Sequence, residues 1–542
     1  VDSTSGFRTT LTQLIRARNP VLLVETHEEE RVVDTVEALA ADVHALRRER
    51  RVVLYSLTKG LHQPHGAGNP LAPDKALAQA AKATEPTIFV FFDLHHSLGA
   101  GPRGAEPVTI RAIRDVAEQF KNGPVPSTLI IVSPSLTLPA DLEKTVTVID
   151  LPLPGMEEIE QVLDDIISPN RDSITVRLEP DDRHRLVQAA LGLTRGEAEN
   201  AFARALAADG VLDESDIELV LDEKRQTIRK SGLLEFIPPE GTLEDVGGLQ
   251  NLKRWLAKRN SSWLSDAEQW SIPFPKGILI TGVPGCGKSL TAKCTSSLWS
   301  MPLLRLDIGR VFSGLVGSSE SNMRGALKLA EATSPSILWI DEIEKGFSSA
   351  GGGGDSGTSQ RVFGTFLTWM QEKKHPVFVI ATANAIDRLP PEFLRKGRFD
   401  EIFFVDLPTH AERISIWKLH LERRLTAGTA AAGLSIEPSL LDRLAEASEG
   451  FSGAEIEQAA VSACFDAFAE RRPVHEADLV RSITNTVPLS VTQAEQIAAT
   501  RSWAETRAVA ATGAEDRGQY EGAPPDDPND VAGWRGGRTI EF

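Results

Sequence analysis

Short apolar runs rich in β-branched residues alternate with helical periodicity through the first two hundred residues: "VLLVET" (Val21 to Thr26), "RVVLYSL" from Arg51, "TIFVFFD" (Thr87 to Asp93), "STLIIVS" (Ser127 to Ser133) and "TVTVIDLP" from Thr145. Runs apolar at every position, separated by helical stretches, predict a mostly parallel sheet covered on both faces. From Glu179 to Leu206 strand formers are few, which predicts a small all-helical appendage. A charged helical stretch between Asp213 and Pro239 ends in "IPPEGT", where proline and glycine mark a boundary. The alternation then restarts with "GILITG" from Gly277, "LLRLDI" from Leu303, "SILWID" from Ser336, "VFVIATA" from Val377 and "EIFFVDLP" from Glu401, and a second helical segment runs from Glu412 to about Thr484.

The two halves share landmarks in the same order. "TIFVFFDLHH" sits where "SILWIDEIEK" sits, the stretch from "TLIIVS" to "VIDLPLP" tracks that from "VFVIATA" to "FFVDLP", and "LGLTRGEAENAFARA" tracks "EGFSGAEIEQAAVSA". An internal duplication of an α/β module with a helical lid is therefore expected. The resulting division is 1–210 for the first module, 211–240 for a helical linker, 241–408 for the second α/β domain, 409–490 for its lid and 491–512 for a closing helix. The stretch 513–542, rich in Gly, Pro and Asp, is expected to be a disordered tail, with Trp534 as a candidate peptide motif.

A length of 542 residues agrees with two or three domains. No apolar run reaches the roughly 20 residues a membrane span needs, and "VDSTSGFRTTLTQ" carries no apolar signal core, so an intracellular, cytoplasmic setting is expected. Three scattered cysteines, Cys286, Cys294 and Cys464, make neither a disulfide framework nor a zinc cluster and fit a reducing compartment. The net charge of −18 disfavours nonspecific nucleic-acid binding and docking on anionic membranes.

Chemistry concentrates in the second half. "GVPGCGKS" follows an apolar strand and opens a helix, the context that G-x-x-x-x-G-K-[ST] requires. Gly282, Gly285 and Gly287 let the backbone curl so that N–H groups face phosphates; Lys288 adds a cation at the β and γ positions and Ser289 a hydroxyl for Mg2+. With Pro284, Cys286 and Leu290 they form the candidate phosphate cradle. About fifty residues on, a strand ends in Asp341, a candidate Mg2+ carboxylate, and Glu342, placed to orient or deprotonate an attacking water.

These motifs and their surroundings, from about Leu243 to Ala467, resemble the AAA+ ATPase family, in a branch named after a hypothetical chloroplast reading frame; an algal member would lie in the plastid stroma. The resemblance implies a P-loop α/β fold with a helical lid, ATP and Mg2+ as cofactors, and a ring of copies of this chain, with six members as one closure. "LEDVGGL", with Asp245 and Gly247, resembles the segment that frames the adenine. Asn384 matches a polar residue that helps place the attacking water, and His420, Gly453 and Ala454 match lid contacts to base and ribose. Arg395 and Arg398 in "LRKGRFD" resemble arginine fingers reaching a neighbouring subunit's γ-phosphate.

The chain also departs from that pattern. Leu315, followed by Val316, stands where threading relatives present an aromatic pore residue, and Gly351 to Gly354 form an inner loop or a plain surface loop. Cys286 replaces a threonine and is either an oxidisable thiol of lowered pKa or a small residue that fits. The first half lacks the glycines, lysine and hydroxyl; Glu25, Glu28, Glu29 and Glu30 cluster there instead, Asp93 is followed by Leu94, and His95 and His96 read as ordinary loop histidines. A degenerate, nucleotide-free module is expected, serving as scaffold, partner surface or ring brace. The reading is a Mg2+-dependent ATPase that remodels or regulates a protein client; the alternatives are a nucleotide-switched assembly scaffold and, disfavoured by charge, a nucleic-acid motor.

Overall fold

The computed structural model describes residues 3–100, 104–171, 174–238, 241–260, 270, 272–312, 318–348, 356–425, 434–517, 535–538, 540 and 542. The chain forms two compact units, Val1–Lys224 and Arg225–Phe542. Leu315 and Val316, Gly351 to Gly354 and Trp534 lie outside the described residues.

In the first unit β1 (Val21–Glu25), β2 (Arg51–Ser56), β3 (Gly60–His62), β4 (Thr87–Phe92), β5 (Thr128–Ser133) and β6 (Val146–Asp150) form one sheet in the order β3-β2-β4-β5-β1-β6. All its pairs are parallel except β2 with β3. β1, β4 and β5 are apolar and almost wholly buried because helices cover both faces. The helices Met156–Asn170, Pro180–Ala190 and Arg195–Asp209 make a separate helical core beside a two-stranded pair, β7 (Thr175–Val176) with β8 (Val211–Leu212).

The second unit repeats this plan. Its strands are β9 (Leu234–Ile237), β10 (Gly277–Gly282), β11 (Leu303–Leu306), β12 (Ser336–Ile340), β13 (Val377–Ala383), β14 (Glu401–Val405) and β15 (Val509–Ala510), in the order β15-β14-β10-β13-β12-β11-β9. Without β3, β9 and β15, the order β2-β4-β5-β1-β6 of one sheet matches the order β11-β12-β13-β10-β14 of the other. The lids match as well: Arg195–Asp209 and Gly453–Ala469 each start from a capping box, Thr194 with Glu197 and Ser452 with Glu455.

Two expectations change. The stretch 211–240 is not wholly helical, because Leu234–Ile237 pairs antiparallel with β11 at the sheet edge. Nor does the expected disorder hold for the described parts of the tail. Ala514–Arg517 is a helical turn, Arg538 bridges Val509, and Arg517 and Arg535 are buried. This docking uses backbone and arginine together with one apolar contact, Phe542 against the Phe403 ring at 6.0 Å between centroids. The Gly536 N–H donates to Asp406 at 3.0 Å, and a Cβ on Gly536 would sit 2.7 Å from the Arg501 Cα.

Candidate nucleotide site

A cavity of about 620 Å3 opens at the carboxyl ends of β10, β12 and β13 and beneath the lid, a size in the range of small-molecule sites. On its floor the loop after β10 leads through Gly287, whose φ of +87° is left-handed, into the helix Lys288–Trp299, so the first free N–H groups of that helix face the cavity. A side chain on Gly285 (φ +76°) would strain the backbone and press within 3.0 Å of the Ser452 hydroxyl and 3.1 Å of the Ala454 Cβ. Loop and lid meet here directly: the Ala454 N–H donates to the Gly285 carbonyl at 2.9 Å.

The Lys288 ammonium donates to the carbonyls of Gly282 and Val283 at 2.8 Å each. Its burial pushes its pKa down to about 8, against the pull of the nearby carboxylates of Glu344, Asp341 and Glu342. Ser289 Oγ donates to Asp341 Oδ1 at 3.0 Å, so the loop hydroxyl and the strand-end carboxylate meet. Asn384 Nδ2 donates to Glu342 Oε1 at 2.8 Å, and Lys345 pairs with the other Glu342 oxygen. Hydroxyl and carboxylate oxygens side by side are hard donors of the kind Mg2+ takes, and the glycine cradle leaves room for phosphates, so these residues fit the two expected cofactors.

Of the residues singled out from the sequence, Asp245, Gly247, Pro284, Gly285, Cys286, Gly287, Lys288, Ser289, Leu290, Asp341, Glu342, Asn384, His420, Gly453 and Ala454 all line this one cavity. Gly282 does not; it lets β10 pass β14, since a Cβ there would fall 1.9 Å from the Val405 carbonyl. Arg395 and Arg398 are not brought to it either: Arg395 is exposed beside Glu392 and Arg398 donates to the Glu392 carbonyl. The low-pKa reading of Cys286 fails, because burial pushes its thiol up to about 12.

Sequence reasoning missed several lining residues. Glu412 is buried, accepts from the N–H groups of Leu249 and Thr409 at 2.9 and 3.0 Å, and so ties the lid to the Gly247–Leu249 backbone. Its spacing from Thr409 spells a capping box, which signals a helix start and not a site. Arg423 pairs with Asp245, and Thr382 reaches both Asp341 and Glu342.

The matching place in the first unit is filled by protein. A shorter link, Thr26 to Glu28, joins β1 to the helix Glu29–Ala41. Glu28 turns inward: Oε2 accepts from Arg31 at 2.9 Å and Oε1 from the N–H of Arg195, at the start of the lid helix, at 2.7 Å. Arg31, 5% exposed, also donates to Glu158 at 2.9 Å and to the Pro152 carbonyl at 2.6 Å. Strand register refines the reading of Asp93. Phe92 stands level with Val132, one residue before the Ser133 that faces Glu25. By the same count Asp341 stands level with Thr382. Phe92 therefore takes the place of Asp341, and Asp93 (φ +58°) that of Glu342 (φ +50°). Among the described residues no cluster of metal-ligating side chains occurs around His95 and His96 or elsewhere.

A glycine loop between a parallel strand and a helix, with a carboxylate at the end of the next strand but one in the sheet, defines a P-loop nucleotide-binding protein. Residues 278–407 match the family "ATPase family associated with various cellular activities (AAA)", and residues 7–151 and 157–231 match the N-terminal and second domains of SpoVK-like AAA ATPases. The AAA domain-containing protein ycf46 of Pyropia yezoensis is 38% identical over 92% of this chain and 98% of its own length, and that of Guillardia theta 37% identical over 91% and 93%. The cell division cycle protein 48 homolog of Archaeoglobus fulgidus is 31% identical over 43% of this chain and 32% of its own. The chain belongs to the AAA ATPase family, in the ycf46 branch. Among the described residues no helix is long and apolar enough to cross a membrane.

Proposed function

We propose that the second unit binds and hydrolyses ATP with Mg2+, that copies of the chain assemble into a ring, and that the ring remodels or regulates a protein client. The observation that carries this reading is the convergence in one cavity of the Ser289–Asp341 pair at 3.0 Å and the Asn384–Glu342 pair at 2.8 Å, next to the Gly285–Lys288 loop. The loop N–H groups and Lys288 hold the phosphates, and Ser289 and Asp341 hold the metal site. Bound there, Mg2+ supplies charge neutralisation and a fixed phosphate geometry. Glu342 takes the proton of the attacking water while Asn384 fixes its carboxylate. His420, Gly453 and Ala454 close over base and ribose, and the first unit, its cleft filled by Glu28 and Arg31, acts as a nucleotide-free brace.

Glu342→Gln tests the hydrolytic assignment. The variant keeps nucleotide binding and loses turnover by about 10²- to 10⁴-fold, the usual worth of a general base; unchanged turnover removes Glu342 from that role. A second reading, a nucleotide-switched scaffold, is favoured by one contact. Both Glu342 oxygens are already engaged, by Asn384 and by Lys345, before an attacking water arrives. Stimulation of turnover by an unfolded polypeptide supports remodelling; turnover indifferent to it supports the switch.

A further inference from the structure

Thr382 belongs to no motif read from the sequence, yet it is the most connected side chain beside the strand-end carboxylates. It is 1% exposed near the end of β13. Its hydroxyl donates to Asp341 Oδ1 at 2.6 Å, the same oxygen that accepts from Ser289, and accepts from the Glu342 N–H at 3.0 Å. Its carbonyl accepts from the Ile343 N–H at 3.0 Å. One threonine thus binds three consecutive residues, the middle of which has a left-handed backbone (φ +50°) that glutamate rarely adopts. The first unit supplies an internal control: where Phe92 replaces the Asp341 carboxylate, Val132 replaces the Thr382 hydroxyl, so the two groups are present or lost together.

Resting on the nucleotide reading above, we propose that Thr382 is a positioning residue that locks the Asp341 carboxylate and the Glu342 backbone into one geometry and thereby sets how strongly Mg2+ couples to nucleotide binding. Groups that orient a metal's carboxylate from behind typically change metal affinity or activity by about 10- to 100-fold. The test titrates Mg2+ against binding of a fluorescent ATP analogue by the full chain, with EDTA as the metal-free reference. Thr382→Val, compared with its own metal-free binding, raises the Mg2+ needed for half of the effect by about 10- to 100-fold, and Thr382→Ser restores it. Thr382→Ala, which adds no bulk, repeats the comparison if the valine variant misfolds by circular dichroism. A folded Val or Ala variant with the parent's Mg2+ dependence overturns the proposal, as does a Ser variant that fails like Val. A parent chain that hydrolyses nothing, while Thr382→Val still loses Mg2+ coupling, sinks the ATPase reading and leaves this one standing; a parent that binds no nucleotide sinks both.

Discussion

Arg501→Ala lowers the unfolding free energy of the second unit by about 3–5 kcal/mol, the range for breaking a buried ion pair and stranding its partner. Arg501 is fully buried. Its Nε lies 2.9 Å from both Asp406 oxygens and its Nη2 2.7 Å from Oδ1. Asp406 follows β14 and lines the candidate nucleotide cavity, so the pair fastens the closing helix Ala494–Arg507 to the cavity wall. Burial alone would raise the Asp406 carboxyl, but Arg501 and Arg535 outweigh it and hold it below the ordinary range. That contribution is present above the unfolded pKa of aspartate and disappears as pH falls through the lower folded value, so the variant differs least from its parent in strong acid. Removing both charges in Asp406→Asn/Arg501→Met recovers part of the loss but not all of it, because the buried Arg535, which also faces Asp406, keeps its charge and loses that carboxylate. All nine tryptophans lie beyond Lys224, so urea titration followed by tryptophan fluorescence reports this unit alone. A loss under 1 kcal/mol contradicts the account.

How far the sequence could be read depended on the kind of signal each feature leaves. Central strands such as Val377–Ala383 are apolar at nearly every position because both faces are covered, and they stand out as runs. The phosphate loop is legible because its chemistry demands particular residues at fixed spacing. The edge strands Leu234–Ile237 and Val509–Ala510 are too short to show a period, and the docked tail is held by Gly536 and buried arginines that look like solvated residues in a linear reading. Thr382 and Glu412 were missed for a related reason. Each acts through a hydrogen bond to a residue 40 or more positions away, Thr382 to Asp341 and Glu412 to Leu249, and nothing local distinguishes them from an ordinary strand threonine or helix-capping glutamate.

The opposite fates of the two modules follow from the same geometry. Both keep a strand, a turn and a helix, and both place the first turn of a lid helix against that turn. In the second unit the contact is backbone to backbone, Ala454 to Gly285, and leaves a cavity lined by Lys288 and Ser289. In the first, the Glu28 carboxylate occupies the lid helix N-terminus and Arg31 neutralises it, so the protein itself supplies both charges that a phosphate and its cation would bring. The glutamates read from the sequence as a repulsive cluster thus divide, with Glu28 an internal ligand and Glu29 a partly buried acid whose pKa burial raises.

Arg398→Ala abolishes turnover by about 10³-fold or more while each subunit still binds nucleotide, the loss expected for an arginine that stabilises charge on a transferring phosphoryl group. Neither Arg398 nor Arg395 lines the cavity of its own subunit; both follow the one-turn helix Pro391–Leu394, outside the set of residues gathered around Lys288. On the proposed reading their target is the cavity of a neighbouring copy, and mixing decides this. Glu342→Gln subunits keep Arg398, and Arg398→Ala subunits keep Glu342, so each kind is inactive alone. In a mixed ring, a site with an intact Glu342 faces an intact Arg398 wherever the two kinds adjoin in the right order, and turnover returns. Recovery on mixing cannot arise if arginine and glutamate serve the same subunit. Subunit exchange verified by energy transfer between labelled copies, without any return of activity, removes the shared site and leaves Arg398 as a surface cation bound to the Glu392 carbonyl.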